Sequence, residues 1–346
     1  MRFYSHNFDF CVVIFKFCEN DLTILNKRPI INVVNSANDI MHERRNKMKK
    51  FLTLLVAGIL AVTCMLGLTA CSKGSKVKVL AVELTNEQYA IAVNKENTTL
   101  LNDINNAMKQ LKEDGTYAAI YAKYTAEDYS EKEESYAMEV LTNNDIDQLD
   151  PSKHFAIATS ADFPPFENKV GNKFVGLDIE FADAIAKKLN KTLVIYNMKF
   201  EAAEVYPQSN YNVVAMAGLT VNADRQTKMN FTDSYIDATQ VLIVKETDTT
   251  FDEILASSKT AEEKAAEVIA KINEMTGAKI GAQSGTTGYN FAKGNEAFGY
   301  DGFDEDTIVN GYDTGALAVQ DLANGNIDMV ILDKLPAGQI VESINK

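Results

Sequence analysis

Chemistry that depends on sulfur or imidazole has little to work with in this chain. Its 346 residues hold four cysteines, Cys11, Cys18, Cys64 and Cys71, and of three histidines only His154 lies beyond residue 71. The greater part of the chain therefore has no disulfide, and thiol nucleophiles, His-dependent triads and His/Cys metal sites are excluded there. Basic residues are also in the minority. Lys and Arg number 34 against 48 Asp and Glu, a net charge of −14. Phosphate backbones require Lys/Arg-rich surfaces, so no nucleic-acid partner is expected. No cofactor and no metal are expected either. The length suffices for two domains, each with its own core.

Against these absences stands one long apolar run, Met48 to Cys71. It has a basic start at Lys49-Lys50, an apolar middle and a small-residue end, the three parts of a secretory signal peptide. Its last residues, Leu68-Thr69-Ala70-Cys71, match a bacterial lipobox. The expected division is a lipoprotein signal peptide at 48–70 and a lipid-anchored tether at 71–76 with Cys71 as the lipidation site. A retained transmembrane helix is the alternative. Residues 1–47 sit ahead of a segment that should begin the protein. Arg44-Arg45 shortly before Met48 is what a ribosome-binding sequence read as codons would give, so 1–47 is expected to be a mis-assigned upstream stretch.

The rest is organised around Ala217 to Lys245, AGLTVNADRQTKMNFTDSYIDATQVLIVK, where the buried run Val213 to Ala217 opens into a polar turn. Gly218 permits close approach to the backbone. Thr220 offers a hydroxyl, and Arg225 a planar fork of donors suited to a carboxylate. Such a set can hold the two ends of a free amino acid, although a strand followed by a surface turn with a solvated Arg225 is an equal reading of these residues alone. Asp333 ends the apolar strand Met329 to Leu332, where a carboxylate needs a cationic partner or a role as cap of the helix that follows. The Gly/Ser/Thr turn at Ser284 to Gly288 lacks the lysine and spacing of a P-loop. Free N–H groups at the start of the helix expected from Tyr289 favour an anion.

The stretch Ala217 to Arg225 with Phe231-Thr-Asp-Ser-Tyr235 resembles the signature of the family 3 solute-binding proteins, the amino-acid receptors of ABC importers. Ile236 departs from the family's usual second aromatic. Two further segments share the resemblance in an unusual order. Glu87 to Tyr124, EQYAIAVNKENTTLLNDINNAMKQLKEDGTYAAIYAKY, resembles the family's C-terminal end but comes first. Phe155 to Glu167, resembling its N-terminal part, comes later.

The resemblance implies a two-lobed α/β fold of the periplasmic-binding-protein-like type II, with two crossing hinge strands and circularly permuted. Lobe 2 is expected from 77–87 and 246–346, lobe 1 with the crossing strands from 88–125 and 154–245, and an acidic linker joining the family's old termini at 126–153. The crossing strands are expected at Gln88 to Val93 and Gln240 to Lys245, with Val77 to Val82 beside the strands at Lys279 and Met329. A receptor tail followed by a truncated second receptor is the competing arrangement. Asp178 is placed to cap a helix, and Phe251 to Met275 reads as a solvated helical insertion.

By resemblance, Gly218 and Thr220 hold the ligand's amino group, Arg225 clamps its carboxylate, Thr286 and Thr287 share that carboxylate from the second lobe, and Asp333 binds the ammonium. Phe163 and Phe200 fall at the pocket aromatics. Ser160 falls where members often carry an acidic side-chain selector, so a neutral or polar amino acid is expected. The implied protein is an extracytoplasmic, membrane-anchored monomer that delivers an amino acid to ABC permease subunits and has no enzymatic activity. The alternative is a cyclohexadienyl-dehydratase-like enzyme on the same fold, which needs a protonated acid aimed into the pocket. Asp162 and Glu167 are the nearby acids, and neither falls on the matched inward position.

Overall fold

A computed structural model describes residues 75–126, 129, 141–145 and 147–346. The upstream stretch, the signal peptide, Cys71 and residues 127–128, 130–140 and 146 of the linker expected at 126–153 lie outside the described residues.

Two sheets carry the architecture. The first has six strands in the order Met229–Phe231, Ala92–Asn94, Val213–Ala215, His154–Thr159, Thr192–Asn197, Leu141–Thr142. The last three pairings are parallel, and the central strands are almost wholly buried, as apolar runs covered on both faces must be. The second sheet has five strands in the order Val77–Val79, Gln240–Lys245, Met329–Asp333, Lys279–Gln283, Ile308–Tyr312. Between them runs a separate two-stranded ribbon, Glu87–Tyr89 antiparallel to Ile236–Ala238.

The connection between the lobes therefore differs from the sequence reading. Gln240–Lys245 does not cross; it is an interior strand of the second sheet, with Val77–Val79 on one side and Met329–Asp333 on the other. The sequence QVLIVK, buried at every position but its last, belongs in a covered sheet and not in an exposed hinge. The crossing falls just before it, at 236–238. The run Gln88 to Val93 likewise divides into two strands, 87–89 in the ribbon and 92–94 in the first sheet. Val77–Val79 lies in the second sheet, but its neighbour is Gln240–Lys245 and not the strands at Lys279 or Met329.

Residues 77–125 are thus part of both sheets. The chain end is fastened to this segment: Asn345 accepts from the Val77 N–H at 3.0 Å and donates to the Val77 carbonyl at 2.8 Å. The helix Thr98–Glu113 begins at Asn97, whose side chain accepts from the Leu100 N–H at 3.1 Å. It buries Ile104, Ala107, Met108 and Leu111 on one stripe, packed against the first-lobe helix Leu177–Lys188 and the strand Met229–Phe231.

Two local expectations are corrected. Residues 251–275 are no solvated insertion. They form the helices Asp252–Ala256 and Ala261–Asn273, the second started by a Thr260/Glu263 capping box. Phe251, Ala265, Val268 and Ile272 are buried in one cluster with Leu80, Leu84, Leu242 and Val244, so these helices close one face of the second sheet. Asp178 does not cap its helix. The cap position is Gly176, and the fully buried Asp178 carboxylate accepts from the Gly218 N–H at 2.9 Å and the Tyr235 hydroxyl at 2.8 Å.

Candidate functional site

A small cavity of about 10 Å³, roughly the space of one water molecule, is lined by Ser160, Asp162, Phe163, Phe200, Gly218, Thr220, Arg225, Gln283, Thr286, Thr287 and Asp333. All nine residues singled out in the sequence are in this lining, joined by Asp162 and Gln283. The first six of the nine belong to the first lobe and Thr286, Thr287 and Asp333 to the second. A wider groove along Leu84, Ala238, Ala265 and Ile269 borders Tyr89 and Asp333 but not Arg225.

Gly218 sits at φ +54°, a backbone conformation that favours glycine. A Cβ there would come within 2.9 Å of the Phe163 ring. Its need for glycine is thus the packed aromatic and the Asp178 anchor. The Phe163 ring in turn stacks on Phe166, centroids 5.9 Å apart.

Arg225 is buried and already engaged. Its Nε and Nη2 both donate to Glu204 Oε2, at 3.0 and 2.6 Å. Nη1 donates to the Thr220 carbonyl at 2.9 Å, and Nη2 reaches the Gly285 carbonyl of the second lobe at 3.4 Å. The guanidinium also lies over the Phe200 and Phe298 rings, 5.8 and 5.2 Å from their centroids. Burial pushes the Glu204 carboxyl up, and the Arg225 charge offsets that only in part.

Asp333 has a different environment. It stands at the start of the helix Lys334–Asn345 but its side chain makes no cap bond. It accepts instead from the Tyr89 hydroxyl of the hinge ribbon and from Gln240 Nε2 at 2.8 Å. Both donors are neutral. Burial and the neighbouring Glu87 charge push the Asp333 carboxyl up to about 7 despite those hydrogen bonds. Glu87 is itself buried and accepts from Thr220 Oγ1 at 2.7 Å and Gln240 Nε2 at 3.1 Å.

Around the rest of the wall, Ser160 Oγ donates to Asp162 Oδ1 at 3.2 Å. Burial pushes Asp162 up to about 6. Asp162 stands on the short strand Asp162–Phe163 and lines the cavity, contrary to the expectation that neither nearby acid falls at an inward position. The hydroxyl of Thr286 donates to the Gln283 carbonyl at 2.7 Å and accepts from the Tyr289 N–H at 3.4 Å, capping a helix that begins at Thr287 and not at Tyr289. Among the described residues the buried charged side chains are four carboxylates, Glu87, Glu167, Asp178 and Asp333, and one cation, Arg225.

The sequence profile of the bacterial extracellular solute-binding proteins, family 3, matches residues 8–127 and 155–310. The chain belongs to that family. Residues 128–154 between the matched segments are not covered by the profile. Among individual relatives, the arginine-binding extracellular protein ArtP of Bacillus subtilis is 32% identical over 93 residues, 27% of this chain and 36% of the relative. A "Probable histidine-binding protein" of Neisseria gonorrhoeae is 25% identical over 199 residues, 56% of this chain and 63% of the relative. The chain thus spans less than two thirds of the length of either. The arginine-bound form of a truncated ArgBP from T. maritima matches with a TM-score of 0.43 at 26% identity, over 55% of this chain and 78% of that one. No helix among the described residues is long and apolar enough to cross a membrane.

Four residues of the site were not singled out in the sequence: Glu87, Glu204, Gln240 and Gln283.

Proposed function

We propose that this family member is a lipid-anchored extracytoplasmic receptor that closes two lobes on an amino acid and delivers it to an ABC permease. The observation that carries the reading is that Arg225 of the first lobe and Asp333 of the second line one small cavity, so that opening the lobes would expose both to a ligand. An arginine and a carboxylate, with Phe163 and Phe200 in the same lining, match the carboxylate, ammonium and side chain of an amino acid. Closure needs no covalent chemistry, because a ligand that touches both lobes stabilises the closed form by its differential contacts. The arginine- and histidine-binding relatives support the same class of ligand.

The reading includes a circular permutation. What supports it is the membership of residues 77–125 in both sheets and the bonds between Asn345 and Val77. Lipid attachment rests on the motif ending at Cys71. Scanning fluorimetry against the twenty amino acids tests the receptor reading, since binding raises the melting temperature by mass action. No shift with any of them at millimolar concentration removes it.

An enzyme reading has one observation in its favour. Asp162 lines the cavity and is pushed up to about 6, so part of it carries a proton near neutral pH. Incubation with a cyclohexadienyl substrate and detection of the aromatic product decides for it; an unchanged spectrum decides against it.

A further inference from the structure

The arginine that should meet the ligand's carboxylate is not waiting for one. Its guanidinium has five N–H groups. Glu204 takes two of them, Thr220 a third, and Gly285 a long fourth. Four of the five are committed within the chain, so a bidentate pair with a ligand requires an existing bond to break. The Arg225 side chain is 4% exposed and that of Glu204 17%. In so enclosed a place the pair is nearly neutral as a unit, and the positive field that would draw a carboxylate is largely cancelled.

Glu204 is held there by the first lobe and lies against the second. It follows the short helix Phe200–Ala203, with its backbone N–H bonded to the Phe200 carbonyl. The second lobe approaches it at Gly285, φ +77°, where a Cβ would lie 3.7 Å from Glu204 Oε1. Glu204 reaches the cavity only through Arg225; the lining itself carries the carboxylates of Asp162 and Asp333, with Glu87 behind Thr220.

We propose that Glu204 is a resident carboxylate on Arg225 and therefore a specificity-determining residue: it stands in for the ligand's carboxylate, so the cavity selects ligands by their cationic groups and resists a second carboxylate at Arg225. This rests on the amino-acid reading above. A ligand carboxylate either displaces Glu204 or binds beside it, and in both cases Glu204 opposes it, through competition or like-charge repulsion. An amine that lacks the carboxylate meets no such opposition.

The test compares L-arginine with agmatine, L-lysine with cadaverine and L-leucine with isoamylamine, by calorimetry on the wild type and on Glu204→Gln. Glutamine keeps the shape and an acceptor for Arg225 but removes the charge. Glu204→Ala serves as a second variant, and melting curves establish that each is folded. Affinity for the amino acids should rise about tenfold or more in Glu204→Gln, with the matching amines changed by less than about threefold. Equal or weaker amino-acid affinity in both variants overturns the proposal, because Glu204 then only orients Arg225. A parallel gain for amines and amino acids overturns it too. No binding of any amino acid to wild type or variants overturns the amino-acid reading together with this proposal, whereas normal binding that Glu204→Gln leaves unchanged overturns this proposal alone.

Discussion

The two lobes bring opposite charges to one cavity and treat them in opposite ways. In the first, Arg225 is neutralised at home by Glu204. In the second, Asp333 is surrounded by neutral donors and a second acid, Glu87, so its charge is opposed and not answered. A closed site built this way is balanced at one end and short of a cation at the other. A free amino acid supplies both charges, but only its ammonium meets an unmet need.

The lobes also differ in what they draw from residues 77–125, and the largest expected effect follows from that. The second sheet takes from this segment only an edge strand, Val77–Val79, whereas the first takes the interior strand Ala92–Asn94 and the helix Thr98–Glu113. Burying a large aliphatic side chain contributes about 1.5–3 kcal/mol. Ile104, Met108, Leu111, Ile91 and Val93 alone therefore approach the whole stability of a typical domain, about 5–15 kcal/mol. Deleting 77–125 should abolish cooperative melting and ligand binding. Removing only 75–79 should lower the melting temperature while leaving the first lobe folded. A deletion of 77–125 that melts and binds normally breaks the contrast between the lobes and with it the permutation.

Next in size is Arg225→Ala. It removes a lining residue of the cavity and leaves the partly enclosed Glu204 beside Gly285 without its cation. Breaking a fully buried pair by removing one partner costs about 3–5 kcal/mol, an upper bound for a pair whose acid is 17% exposed. A loss of binding should come with a clear fall in melting temperature, and Glu204→Gln in the same chain should restore part of the stability but none of the binding. If melting is unchanged in the single variant, the pair is not buried in solution and the first-lobe side of the comparison fails.

Much of this site was legible in the sequence because it consists of short motifs on rigid elements. The glycine, threonine and arginine of Ala217 to Arg225, the Asp-Phe before Pro164-Pro165, and an aspartate ending an apolar strand each carry local meaning. What the sequence did not reveal is pairing across the fold. Nothing near Glu204 says that its partner lies at Arg225, and nothing near Gln240 says that one amide bridges Glu87 and Asp333. The interior place of Gln240–Lys245 was hidden for a similar reason: an apolar run identifies a buried strand but not the sheet that covers it.

Asp333 gives a smaller effect that depends on pH. Its carboxyl is raised to about 7 in the folded chain from an unfolded value of about 4, so between those limits the folded state binds more protons. Stability from this group is therefore fully present below about pH 4 and is lost as the pH rises through 7. Asp162 and Asp178, both raised to about 6, act with the same sign. The ligand-free protein should melt higher at pH 5.5 than at pH 7.5, at about 2–4 °C for each kcal/mol gained. Asp333→Asn should flatten that dependence and still abolish amine recognition. Ligand affinity should run the other way and weaken as Asp333 takes up its proton. A variant that binds normally returns Asp333 to a purely structural part.

The smallest effect is expected at Thr286, where the resemblance assigns a ligand contact and the geometry assigns a cap. A threonine hydroxyl has one proton to donate, and here it goes to the Gln283 carbonyl at 2.7 Å. Its acceptance from the Tyr289 N–H is long, at 3.4 Å, compared with 3.1 Å for the Asn97 cap in the first lobe. Asn97 also donates to the Tyr211 carbonyl at 2.8 Å, so it fastens its helix to a second segment. Loss of an N-cap side chain costs about 0.5–2 kcal/mol. Thr286→Ala should fall at the low end of that range and Asn97→Ala at the high end. Thr286→Ala should change ligand affinity by less than about threefold, because its proton is already committed. A large loss of affinity with an unchanged melting temperature would mean that the hydroxyl turns to the ligand on binding, and the second lobe would then share the carboxylate that Glu204 keeps from Arg225.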